Sequence, residues 1–143
     1  MDFFLLNLIL KKPKDLNIRY TFIHTNKYAK MKFGLTKKDI IALNQEFEEG
    51  NLHNEASLDF ALGYAKKTEN WTKALAWLVR AILIDHVFEE GNKRTVALLI
   101  KTYTQYEGHK TYDDQIIKLV KKVILKNISS IKIIEDMIKN AIK

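Results

Sequence analysis

Between Trp71 and His86 the chain is apolar on nearly every side. Ala74, Leu75, Ala76, Trp77, Leu78, Val79, Ala81, Ile82, Leu83 and Ile84 leave a helix of this length without a polar face. Such a helix cannot lie on a surface and belongs in the middle of a bundle. A second strongly apolar stretch, 92–107, carries Val96, Ala97, Leu98, Leu99, Ile100 and Tyr103, and Gly108 follows as a C-terminal cap. Two central helices joined by the loop 87–91 therefore set the architecture.

The remaining helices fit around that pair. Thr36-Lys-Lys-Asp39 has the form of a capping box, which opens a helix through Ile40, Ile41, Leu43, Asn44 and Phe47 that ends before Gly50. A second covers 56–65, with Leu58, Ala61, Leu62 and Ala65 on one face. Two amphipathic helices close the chain. One runs over 112–126 with Ile116, Ile117, Leu119, Val120, Val123 and Ile124, and the other starts near Ser130 with Ile131, Ile134 and Ile138. The fold class read from this pattern is all-α and compact.

The first 34 residues are the least regular. Residues 3–10 form an apolar run too short to span a bilayer, which needs about 20 residues, and it lacks the basic start and cleavage site of a signal peptide. It reads as a buried strand or short helix. Asn17-Ile-Arg-Tyr-Thr-Phe-Ile-His24 partly alternates and reads as a short N-terminal β element. The expectation is an extension, 1–34, packed on a helical domain, 35–143.

Composition narrows the chemistry. At 143 residues and 47% hydrophobic, the chain can bury one real core. The absence of cysteine excludes disulfides, thiolate metal sites and cysteine nucleophiles, and it agrees with a cytoplasmic setting. A net charge of +7 favours anionic partners, but the lysines are spread along the chain and no helix shows a basic stripe. Nucleic acid is thus not the expected partner, and no membrane association is expected.

The chemistry concentrates at 86–94. His86 ends one apolar helix, and Asn92, Lys93 and Arg94 begin the next. A helix start presents free N–H groups and the positive end of the dipole, which bind anions. Gly91 lets backbone approach a ligand closely. Lys93 and Arg94 crowd positive charge where the dipole prefers acids, which points to a phosphate among them. Beside a polyphosphate, Glu89 and Glu90 need a hard cation, usually Mg²⁺. His86 has the only nearby side chain whose ordinary pKa suits a general base at neutral pH. The competing reading is a plain polar loop: a helix terminus at His86, solvated glutamates and a turn at Gly91.

The string His86, Phe88, Glu90, Gly91, Asn92, Lys93, Arg94 resembles the signature His-x-Phe-x-(Asp/Glu)-(Gly/Ala)-Asn-(Gly/Lys)-Arg of the Fic/Doc family, without a gap. The flanks are similar too. Thr95-Val-Ala-Leu-Leu looks like the helix that follows in Doc proteins, and 35–62 looks like their first two helices. The likeness covers about 35–126. It implies a Fic/Doc-type helical domain in which His86 deprotonates a Ser, Thr or Tyr hydroxyl of a target protein and Glu90 holds Mg²⁺ on the nucleotide phosphates. It further implies that Gly91 and Asn92 form an anion hole, Arg94 neutralises a phosphate and Phe88 anchors the loop in the core. ATP would be the co-substrate.

Two departures separate the family's branches. Lys93 stands where the AMP-transferring branch has Gly, and Ala97 where that branch has a second Arg; both match the Doc branch, whose precedent is a toxin that phosphorylates a translation factor. Phosphoryl transfer from ATP is the preferred reading. The alternatives are Fic-type AMP transfer (protein adenylylation) and a non-catalytic domain that binds nucleotide or nucleic acid. Self-inhibited members carry (Ser/Thr)-x-x-x-Glu-(Gly/Asn). Glu49-Gly50 and Glu107-Gly108 have the ending, but Gln45 and Tyr103 stand four residues back. A separate antitoxin protein is then the expected restraint. The flap that lays out a target peptide would come from 50–57 or from 66–70. His24, His53 and His109 read as surface or structural, and Trp71, Trp77, Tyr103 and Tyr106 as core.

Overall fold

The computed structural model describes residues 33–143. Among them six helices follow in order: α1 Lys37–Asn44, α2 Glu55–Lys67, α3 Trp71–Ile84, α4 Asn92–Tyr106, α5 Asp113–Leu125 and α6 Ile131–Asn140. The domain is all-α. Its described β pairing consists of two isolated antiparallel bridges, Leu52 with Phe88 and Thr111 with Ile142. The expectations for 3–10 and 17–24 lie outside the described residues, as does almost all of the extension 1–34. Among the described residues no helix is long and apolar enough to cross a membrane.

Helix α3 is the central element that its composition demands. Leu75, Leu78, Val79 and Ile82 are wholly buried, and the helix packs against α2, α4, α5 and α6. It stops at Ile84, before the expected His86. Asp85 closes its last turn through its N–H to the Ala81 carbonyl (3.1 Å), and His86 then takes a left-handed backbone, φ 53°. A non-glycine residue there ends the helix, because αL cannot continue a right-handed turn. Helix α4 buries Val96 to Ile100 on α1, α3 and α5.

The outer helices bury one stripe each. In α5, Ile116, Leu119, Val120 and Val123 face inward while Lys118, Lys121 and Lys122 face water. In α6, Ile134 and Ile138 are buried beside Glu135, whose carboxylate accepts from the Thr72 hydroxyl (2.8 Å) and so ties α6 to the first turn of α3. A buried carboxylate stands only where such partners meet it.

The aromatic residues divide. Tyr103 is 1% exposed among the rings of Phe33, Trp71 and Tyr106, at centroid distances of 4.7, 6.0 and 5.6 Å. Burial, with the Glu107 carboxylate next, holds its phenol well above the ordinary tyrosine range. Trp77 is half-buried: it packs against the core and also lies against Tyr64 and Phe60 of α2.

Candidate functional site at the start of α4

The loop between α3 and α4 is held from two sides. Against it runs the segment 51–54, which precedes α2. The Glu89 N–H donates to the Asn51 carbonyl (3.0 Å), and the N–H groups of His53 and Asn54 both donate to the Val87 carbonyl (2.7 and 3.1 Å). Of the two segments read as a flap, it is 50–57 that lies along the loop. The Asn54 amide also donates to the Asp85 carbonyl (3.1 Å), while its oxygen caps α2 at Ser57 (3.1 Å). The Ser57 hydroxyl donates to the Asp85 carboxylate at 2.5 Å. The residue before His86 is thus pinned to α2.

The loop is also tied within itself. Asn92 accepts from the Phe88 N–H (3.0 Å) and donates to the Phe88 carbonyl (2.8 Å). Its side-chain amide therefore clamps the loop rather than facing outward, as an anion-hole role for that amide would require. Phe88 is 1% exposed, in the core. Gly91, φ 78°, sits so near the end of α1 that a Cβ would lie 2.7 Å from Cγ of Glu48 and 3.2 Å from Nδ2 of Asn44. In this arrangement the close neighbour that demands glycine is the chain's own 44–48 segment.

Asn44 is the hub that sequence reasoning missed. Only 1% exposed, it donates to the Glu90 carbonyl (2.9 Å) and the Thr95 hydroxyl (3.1 Å), and its oxygen accepts from the Gly50 N–H (2.8 Å). Thr95 passes the connection on to the Gly91 carbonyl (2.8 Å). One buried amide joins α1, the start of the 50–57 segment, the loop and α4. A signal for it existed: Asn44 continues the inward stripe of Ile40 and Leu43, where an unpartnered amide would be costly.

The start of α4 has no side-chain cap. Gly91 occupies the N-cap position, and no acid lies in the first turn. Exposed Lys93 and partly buried Arg94 stand there instead. Arg94 is ion-paired with Glu48 through Nη2 and Oε1 and lies 4.8 Å from the centre of the Phe47 ring. The anion at Arg94 is therefore Glu48, which the sequence reading did not single out. His86, Glu89 and Glu90 are exposed around the loop. Beside them opens a cavity of about 260 Å³ lined by Asn44, Glu48, Glu49, Asn51, Glu89 and Glu90. Its lining is acidic, and Gly91, Asn92, Lys93 and Arg94 are not part of it.

Among the described residues no group of three His, Asp or Glu side chains is arranged to hold a metal. Mg²⁺ does not require one, since it is commonly held by one or two carboxylates together with substrate phosphates and water. Glu90, exposed two positions ahead of α4, has the donor chemistry for that mode. No protein-family model, curated protein or solved structure matches this chain.

Proposed function

We propose that the protein is a Fic/Doc-like transferase that moves the terminal phosphoryl group of ATP onto a Ser, Thr or Tyr hydroxyl of a target protein. The observation that carries the reading is the start of α4. It is an uncapped, acid-free helix N-terminus with Lys93 and Arg94 in its first turn and exposed His86 at the other end of a clamped loop. Arg94 is already balanced by Glu48, and exposed Lys93 adds a further cation where the dipole favours acids; a polyphosphate is an anion that such an end receives well.

In the proposed reaction neutral His86 takes the proton of the target hydroxyl. The oxygen attacks the terminal phosphorus, the bond from that phosphorus to the bridging oxygen breaks, and ADP leaves with the electron pair. The N–H groups at the start of α4, with Lys93 and Arg94, bind the phosphates and spread the developing charge. Glu90 would hold Mg²⁺, which supplies neutralisation of the phosphate oxygens when bound. Meeting a phosphate requires Arg94 to exchange Glu48 for it. The flap segment 51–54 would align the target chain beside His86. A target protein and a restraining antitoxin are the partners this reading implies.

Incubation with a cell lysate, Mg²⁺ and ATP labelled at either the γ or the α phosphate tests the reaction. Label from the γ position alone, lost in His86→Ala, supports phosphoryl transfer. Label from the α position establishes AMP transfer instead. No His86-dependent label from either position overturns the enzyme reading.

A further inference from the structure

Helices α2 and α3 are antiparallel neighbours linked by a short turn, and their exposed seam starts at the candidate site. Ser57 meets Asp85 at that end, next to His86. On the same face of α2, Phe60 and Tyr64 follow at i+3 and i+7. They are 53% and 42% exposed, unusually open for aromatic side chains so close together. Their centroids are 4.8 Å apart, and Tyr64 stacks on Trp77 of α3 at 4.4 Å and 19°. Arg80 lies over the Trp77 ring at 4.9 Å, and Lys67 over Tyr64 at 5.5 Å. Exposed Lys66 and Lys73 stand at the far end. Asp59, an acid on the same helix, is engaged by Lys37 of α1 at 2.7 Å.

We propose that Phe60, Tyr64, Trp77 and Arg80 form the docking strip for the target protein, which takes an acidic segment bearing an apolar or aromatic anchor. The inference rests on the transferase reading for its partner. Two observations select the occupant. The strip is continuous with the loop that holds His86, so a segment lying on it leads the target chain to the proposed base. Around it Lys66, Lys67, Lys73 and Arg80 outnumber Asp59 and exposed Glu69, an excess that complements acidic side chains, and Trp, Tyr and Arg are the residue types that anchor protein interfaces. Single-stranded nucleic acid fits less well, because base stacking needs open ring faces and Trp77 already has Tyr64 and Arg80 over it.

The test is fluorescence anisotropy of a labelled hexapeptide in which a leucine–phenylalanine pair is flanked by acidic residues. Its counterpart with lysines in their place and a labelled oligothymidylate serve as comparisons. The full-length wild type, Phe60→Ser, Arg80→Glu and His86→Ala proteins are titrated at low salt. The acidic peptide is expected to bind wild type and His86→Ala alike, and to bind Arg80→Glu and Phe60→Ser about 10-fold more weakly. ATP affinity and circular dichroism stay unchanged in both strip variants, which shows that they fold. Equal binding of the acidic peptide to Arg80→Glu, or equal binding of the lysine peptide to wild type, overturns the strip. So does oligothymidylate binding that is lost in Phe60→Ser, or a dimer of the wild type that Phe60→Ser dissolves. Strip-dependent peptide binding with no His86-dependent transfer supports the docking surface while overturning the transferase reading, so the two fail separately.

Discussion

At the start of α1, Thr36 accepts from the Asp39 N–H (3.3 Å) and the Asp39 carboxylate accepts in return from the Thr36 N–H (2.8 Å). Asn54, Asn70 and Ser130 cap α2, α3 and α6 through their side chains, and α5 has Asp113 and Asp114 in its first turn. The start of α4 has neither device. Its N–H groups lack a side-chain acceptor, and its first turn carries cations. The first arrangement satisfies a helix end from within the chain. The second has no such cap: Arg94 of its first turn pairs with Glu48 from beyond α1, Lys93 is exposed, and the framework of Asn44, Thr95 and Asn92 holds the loop in place. On the proposed reading the difference separates stability from function, and substitutions can push on each side of it.

The largest expected effect falls on the framework. Asn44→Leu strands the Gly50 N–H and breaks the links to Glu90 and Thr95, and it should lower unfolding free energy by about 3 kcal/mol in urea denaturation. Gly91→Ala should cost roughly 2 kcal/mol, since its left-handed backbone and a Cβ 2.7 Å from Glu48 both oppose a side chain. At the start of α1, Thr36→Ala should cost about 1 kcal/mol and leave ATP affinity untouched. Lys93→Glu should do the reverse at the start of α4. The acid suits the dipole and stabilises by roughly 0.5 kcal/mol, while ATP binding is lost. The smallest effect on stability belongs to Glu48→Gln, at about 0.5 kcal/mol or less for a partly exposed pair. Calorimetry should nonetheless show tighter ATP binding in that variant, because Arg94 no longer has a competing anion.

The helices were legible in the sequence because burial writes a 3.6-residue period. α3 is apolar all round and so central, and the stripes of α5 and α6 name their inner faces. The capping box at Thr36 and Asp39 was legible for a similar reason, since its partners are three residues apart. The seven residues singled out at 86–94 fall within nine positions, so one loop was bound to gather them. Where their side chains turn was not legible. The Asn92 amide closes on Phe88 and Arg94 pairs with Glu48, 46 positions away. Asn44 reaches 46 and 51 positions to Glu90 and Thr95. No periodicity encodes such pairings, which depend on how α1 is laid against α4.

If the start of α4 receives a polyphosphate, calorimetric titration of ATP with Mg²⁺ into the protein will show it. Wild type should bind, Lys93→Ala and Arg94→Ala should each bind about 10-fold more weakly, and Thr36→Ala should match wild type. No binding to wild type, or affinity indifferent to both cations, would rule out a polyphosphate site at the start of α4.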